Sequence, residues 1–107
     1  MIEISIFQKD DKTIRVKSKG HAGYADKGQD IVCAAVSVLL INTVNSLDRF
    51  TEDEILLSDV KSGDLEFSFP KGSSHDGDLL MKSLILGLKE IAKEYGEEYI
   101  SLKFQEV

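Results

Sequence analysis

The residues best suited to chemistry lie together in one short segment of the chain. GHAGYADKGQDIVCAA, residues 20–35, holds the only cysteine, Cys33, and one of the two histidines, His21. A thiolate is a strong nucleophile, and an imidazole accepts and returns protons near neutral pH. If the loop between them folds back, His21 can act as base and then as acid for Cys33. Otherwise Cys33 is a small apolar residue that opens a buried helix.

Two further polar residues flank Cys33 on the predicted helix. Asp30 is a good N-cap residue, which places Cys33 at the third helical position. There the free N–H groups and the helix dipole favour a thiolate, and the same amides can hold an oxyanion. Asp30 could instead orient His21, although its charge opposes a nearby thiolate. Ser37 shares the helix face of Cys33, where it either bonds back to the Cys33 carbonyl or lines the site.

The remaining residues of the loop have both structural and functional interpretations. Gly20, Gly23 and Gly28 allow either ordinary turns or a positive φ with close approach of a substrate backbone. Tyr24 either stacks on a substrate side chain or anchors the loop. His75 lies in a separate polar segment and is predicted at the surface. The two histidines and one cysteine match no zinc template, and no phosphate-binding loop is present, so neither metal nor cofactor is predicted.

The elements that position this segment follow from hydrophobic periodicity. Five stretches alternate apolar and polar residues as half-buried strands do, near residues 2–6, 13–17, 55–57, 65–69 and 100–104. Helical spacing runs from Ile31 to about Leu47 and again through Met81 to Tyr95, with Gly96 at the end. Loops are predicted over residues 20–29 and 71–78, and a turn at Ser62-Gly63.

The resulting order, β-β-α-β-β-α-β, predicts an α/β (α+β) two-layer sandwich. Its sheet is expected to be mixed and mostly antiparallel, with two helices on one face. A length of 107 residues predicts a single domain, residues 1–107. Because the first helix is apolar on nearly every side through Ile41, we expect it to pack on several faces, including a second copy of the chain.

Composition limits the classes of binding partner and the cellular compartment that are expected for this protein. A net charge of −6 argues against a nucleic-acid surface. One cysteine excludes an internal disulfide, and MIEISIF lacks the basic region of a secretion signal. The apolar stretch IVCAAVSVLLI is predicted to be too short to span a bilayer. Together these features predict a cytoplasmic protein with no membrane partner.

The motif itself resembles a known family. G-H-A-G-Y-A, followed by G-x-D-I-V-C-A-A-x-S, is similar to the signature of the ribosomal-processing cysteine proteases, the Prp family. The resemblance is densest over Gly20 to Ser37 and extends more loosely over the whole chain. It implies a small cytosolic α/β protein, typically a homodimer, that removes the N-terminal extension of a large-subunit ribosomal protein after an aromatic residue.

The same resemblance implies roles for individual residues. His21 matches the catalytic histidine and Cys33 the nucleophile, while Gly20, Asp30 and Ser37 match supporting or substrate-binding positions. The loop between histidine and cysteine is expected to be mobile and to cover the bound peptide. We therefore predict a cysteine endopeptidase that acts through a Cys/His dyad.

Two other classes of function use the same residues. A non-catalytic peptide-binding factor of ribosome assembly would keep Cys33 buried and protonated, with the pKa of its thiol unperturbed or raised. A single-cysteine redox sensor would form a sulfenic acid and need a partner thiol. Only the protease requires both Cys33 and His21.

Overall fold

Strands and helices follow one another in the predicted order. The computed structural model describes residues 1–26, 30–61 and 64–107. Within these residues the elements are β1 (Ile2–Lys9), β2 (Lys12–Lys19), α1 (Ile31–Phe50), β3 (Leu56–Lys61), β4 (Asp64–Ser68), α2 (His75–Tyr95) and β5 (Ile100–Glu106). The turn predicted at Ser62-Gly63 lies outside the described residues.

The strands form one mixed sheet in the order β3-β4-β2-β1-β5. The pairs β1–β2, β2–β4 and β3–β4 are antiparallel, and β1–β5 is parallel, which confirms the predicted sheet. These directions place the starts of β1, β4 and β5 beside the end of β2. We call this end of the sheet the motif end, because the segment GHAGYA leaves β2 there.

Backbone contacts tie the motif end together. The N–H of Gly20, just after β2, donates to Asp64 Oδ1 at the start of β4 over 3.0 Å. The N–H of Ile2 donates to the carbonyl of Tyr99, just before β5, over 2.9 Å. Three separate parts of the chain are therefore fixed next to the segment that follows β2.

Both helices pack on one face of the sheet, as predicted. Alternate residues of the strands point into a single core, where they meet one face of each helix. The largest fully buried side chains are Phe67, Ile2, Ile4, Ile6, Leu47, Met81, Leu84, Leu88, Ile100, Val16 and Val32. The helices approach each other closely, since a Cβ at Gly87 would lie 2.9 Å from Leu39 Cδ1. The sheet and the pair of helices therefore form two layers around one core.

Several helix and strand boundaries differ from the predictions. α1 continues to Phe50 instead of ending near Leu47, and β3 begins one residue after Ile55. α2 begins at His75, inside the stretch predicted as a loop. The Ser74 hydroxyl accepts the Gly77 N–H over 3.1 Å and caps this helix, so the polar stretch contains a helix start.

The burial of α1 within the single chain accounts for one of the faces on which the helix is expected to pack. Only one face of the helix is buried, through Val32, Val36, Leu40, Thr43 and Leu47. These positions recur every three or four residues, as expected for a helix that packs on a sheet from one side. The exposed side of the helix includes the apolar residues Ile31, Val38 and Ile41, and packing of this side on a second copy stays a prediction.

The length of α1 also bears on the membrane prediction. α1 is long and apolar enough to cross a membrane by length and composition alone, because the helix continues beyond the apolar stretch IVCAAVSVLLI. The prediction of too short an apolar segment was therefore wrong. In this fold the helix contributes one face to the core, as a core helix of a globular protein does.

Candidate active site

The start of α1 is fixed by Asp30, as predicted. Asp30 adopts an extended conformation, with φ −79° and ψ 98°, and its Oδ1 accepts the Cys33 N–H over 3.0 Å. The Ala34 N–H donates to the carbonyl of Asp30 over 3.1 Å. Cys33 is thus the third residue of the helix, and its own N–H is used by the cap.

The second carboxylate oxygen of Asp30 holds the loop. Asp30 Oδ2 accepts the N–H of Tyr24 over 3.1 Å. Two residues earlier, the N–H of Ala22 donates to Cys33 Sγ over 3.2 Å. Ala22 is only 3% exposed, so the segment that leaves β2 folds back over the start of α1 and partly covers the thiol. One carboxylate therefore connects the helix start to the loop.

His21 lies next to Ala22 in sequence but does not bond to the thiol. Its side chain is exposed, and the described part of the chain contains no hydrogen bond between its ring and Cys33. The structure brings the segment carrying His21 to Cys33 through the Ala22 backbone. A direct hydrogen bond between nucleophile and base is thus not among the contacts of the described residues.

The electrostatics of the pair Asp30 and Cys33 favour a protonated thiol. Partial burial raises the pKa of the Cys33 thiol, and the charge of Asp30 raises it further, while the Ala22 N–H acts in the opposite direction. Burial alone would raise the pKa of Asp30, but the N–H groups of Cys33 and Tyr24 lower it below its ordinary value. Burial and Asp30 therefore oppose the effect expected of the helix start, which stays a prediction.

Gly20 is required by the close approach of two segments. It has φ +93°, and a Cβ there would lie 2.7 Å from the Met1 carbonyl oxygen. Gly23 also has a positive φ, +71°, but nothing lies within 4 Å of the position of its Cβ. At Gly20, therefore, the Met1 backbone fills the space that a side chain would need. Gly28 lies outside the described residues.

Gly20→Ala is expected to destabilise the protein more than Gly23→Ala. Both changes place an L-residue in a left-handed conformation, which costs about 1–2 kcal/mol. Gly20→Ala adds a clash with the Met1 backbone, and overpacking of this kind costs about 1–3 kcal/mol more. Urea unfolding of the two variants measures the difference. Equal losses of unfolding free energy would show that the contact with Met1 relaxes without cost.

The other candidate residues lie outside this contact network. Ser37 is exposed, and its hydroxyl is not bonded to the Cys33 carbonyl within the described part of the chain. His75 is exposed at the first residue of α2, whose other end lies at the motif end. No group of three or more potential metal ligands occurs among the described residues.

Two residues of this site were missed by the sequence analysis. The ring of Tyr24 packs edge to face against Tyr95, with centroids 5.5 Å apart, and against Tyr99, at 5.1 Å. Tyr95 is the last residue of α2, and Tyr99 precedes β5. Tyr24 therefore anchors the loop in this structure. The only signal in the sequence is a pair of tyrosines around the Gly96 helix end.

Asp30→Asn is expected to shift the reactivity of Cys33 to lower pH. The asparagine keeps a carbonyl acceptor for the Cys33 N–H, but it removes the charge that raises the pKa of the thiol and the acceptor of the Tyr24 N–H. The rate of alkylation by iodoacetamide, measured from pH 6 to 10, should reach its midpoint at a lower pH. Asp48→Asn, on the same helix about 27 Å away, serves as the control. Unchanged midpoints in both variants would rule out this effect of Asp30.

The fold and site define a small α/β protein with a single thiol at a helix start, covered by a loop that carries a histidine. Residues 1–101 match the sequence model of the family "Cysteine protease Prp". The chain belongs to the Prp family of cysteine proteases.

Individual relatives agree with this assignment. The ribosomal processing cysteine protease Prp of Bacillus subtilis is 32% identical over 101 residues, covering 89% of this chain and 90% of the relative. That of Mycoplasma pneumoniae is 34% identical and covers 85% and 87%. A crystal structure of the Staphylococcus aureus protease with a covalently linked product peptide superimposes with a TM-score of 0.92 at 28% identity, covering 98% of this chain and 100% of that one.

Proposed function

We propose that residues 1–107 form a single-domain cysteine endopeptidase that removes the N-terminal extension of a large-subunit ribosomal protein. The observation that carries the proposal is the Ala22 N–H···Sγ hydrogen bond, which brings the segment bearing His21 onto the only thiol of the chain. Family membership supports the class of reaction. The relatives named as ribosomal processing proteases support the class of substrate. A second Staphylococcus aureus structure holds a substrate peptide.

In the proposed mechanism Cys33 is the nucleophile and His21 is the base and acid. His21 takes the thiol proton, and the sulfur bonds to the scissile carbonyl carbon. His21 then protonates the leaving nitrogen as the C–N bond breaks, which leaves a thioester. Water, deprotonated by His21, attacks the thioester and releases the new carboxylate with regeneration of the thiol. No metal or cofactor enters these steps.

The supporting residues have distinct proposed roles. Gly20 holds the end of β2 against Asp64 and Met1, and Asp30 holds the loop against the start of α1. Ser37, one turn beyond Cys33 on α1, is proposed to contact the bound peptide. The sequence analysis assigned the first-turn amides to the oxyanion, but the Cys33 N–H is bonded to Asp30 here. That amide reaches the oxyanion only after the Asp30 carboxylate turns away.

The proposed partners follow from charge and exposed apolar surface. A net charge of −6 suits a basic ribosomal protein, with an attraction that salt weakens. Ile31, Val38 and Ile41 of α1 are at least half exposed, and we propose that a second copy of the chain covers them. The proposed location is the cytoplasm, where ribosomes are assembled.

A peptide-binding factor without catalysis is the second candidate. The raised pKa of the Cys33 thiol and the absence of a bond between His21 and Cys33 favour it, because a clamp needs neither a thiolate nor a base. Both observations concern the peptide-free chain. The two candidates differ in whether bound peptide is cut.

The deciding experiment is intact-mass analysis of the extended ribosomal protein of the host after incubation with this protein. We expect loss of one N-terminal peptide that ends in an aromatic residue. The same ribosomal protein produced without its extension is the control and should keep its mass. Binding without any loss of mass would identify a clamp and refute the protease.

A further inference from the structure

Two tyrosines from the C-terminal quarter of the chain form a fixed platform at the motif end. Tyr99 is held by backbone bonds on both sides: its N–H donates to the Gly96 carbonyl over 3.1 Å, and its carbonyl accepts the Ile2 N–H over 2.9 Å. Tyr95 ends α2, and both rings pack against the hydrophobic core. Neither residue belongs to the segment that carries the predicted chemistry.

Tyr24 connects this platform to the loop. Its ring meets the rings of Tyr95 and Tyr99 at interplanar angles of 83° and 71°, the edge-to-face geometry that aromatic pairs prefer. The Tyr24 side chain is nevertheless 41% exposed, so its ring lies on the platform without being enclosed by it. The contact can open without disturbing the core.

The geometry points to Tyr95 and Tyr99 as positioning residues that act through Tyr24 on the Cys33 thiol. We call the packing of the Tyr24 ring on Tyr95 and Tyr99 the clasp. While this contact is made, Ala22 stays over Cys33 Sγ and the site is closed. A peptide reaches the sulfur only when the clasp opens. This last statement rests on the proposed function, whereas the clasp itself does not.

The ring contact is the part of the loop attachment that depends on a side chain of the loop itself. Ala22 and Tyr24 both bond to the helix start through backbone N–H groups, which any residue at these positions except proline would retain. Loss of the Tyr24 ring therefore weakens the closed state without removing those donors. The loop then spends more time away from the sulfur.

Opening the clasp should increase the reactivity of the thiol in two ways. It exposes Sγ to the reagent, and it removes the burial that is the largest cause of the raised pKa of Cys33. Loss of the Ala22 N–H···Sγ hydrogen bond would by itself raise the pKa of the thiol, but the loss of burial has the larger effect. Alkylation should become faster, and its pH midpoint should fall.

The test measures iodoacetamide alkylation of Cys33 in the wild type and in Tyr24→Ala, Tyr24→Phe, Tyr95→Leu and Tyr99→Leu. Tyr24→Ala removes both aromatic contacts and should react roughly tenfold faster. Each leucine variant removes one contact, keeps an apolar side chain on the core, and should react roughly threefold faster. Tyr24→Phe keeps the ring and should react like the wild type.

A double variant separates the clasp from simple destabilisation. Tyr24→Ala combined with Tyr95→Leu should alkylate no faster than Tyr24→Ala alone, because both changes break the same contact. Additive acceleration would mean that Tyr95→Leu acts by loosening the core and would overturn the proposal. So would an unchanged rate in Tyr24→Ala, an equal acceleration in Tyr24→Phe, or no effect of either leucine variant.

The alkylation assay needs no substrate and so separates this inference from the proposed function. If the rates follow the clasp while the extended ribosomal protein stays uncut, the clasp holds and the protease assignment fails. If the substrate is cut while alkylation is unaffected in all four variants, the clasp alone fails.

Discussion

Replacing Cys33 by alanine is expected to reduce peptide cleavage by a factor on the order of 10⁴–10⁶, as loss of a nucleophile does in other hydrolases. The chain has no second thiol to take its place. The loss should appear entirely in kcat, because the sulfur forms a bond to substrate only during the reaction. A fluorogenic peptide that spans the proposed cut in the ribosomal protein measures kcat and KM.

The same variant also separates peptide binding from peptide cleavage. Cys33→Ala removes the acceptor of one hydrogen bond, from Ala22, and leaves the Asp30 cap in place because that cap binds the backbone N–H. The variant should therefore fold and still bind the uncut peptide. Cys33→Ser, with a similar shape and a much weaker nucleophile, should behave in the same way. Cleavage at the wild-type rate by either variant would contradict a nucleophilic Cys33.

Much of the fold could be predicted because its signals are local. Period-two alternation located the strands, and Asp30 before an apolar helix located the N-cap together with the position of Cys33 on it. The start of α2 was missed because Ser74 stands in a polar stretch that reads equally well as a loop. A helix N-cap can be recognised in a sequence only when the helical spacing of apolar residues begins directly after it.

The geometry of the site could not be predicted because it depends on distant segments. Tyr24 meets Tyr95 and Tyr99 only after β2 and β5 have been placed on either side of β1. The effects that oppose a thiolate at Cys33 could not be predicted for the same reason. Helix position alone favours a thiolate, whereas burial by a loop and the proximity of Asp30 are tertiary effects.

His21→Ala is expected to lower cleavage by a factor on the order of 10²–10⁴, the usual contribution of a general acid–base group. His75→Ala is the matched control, since that histidine is exposed at the far end of α2 and should leave kcat unchanged. The same fluorogenic peptide measures both variants. Cleavage by His21→Ala at the wild-type rate would remove His21 from the mechanism.

The pH dependence of His21→Ala shows which proton transfer is lost. Because burial and the charge of Asp30 raise the pKa of the Cys33 thiol, a base is needed to form the thiolate at neutral pH. Without His21 the cleavage rate should increase with pH until the thiol ionises unaided, which partly restores formation of the nucleophile. Protonation of the leaving amine is not restored, so the variant should remain slower than the wild type even at high pH. Full recovery at high pH would show that His21 acts only as the base, and that another group donates the proton to the leaving amine.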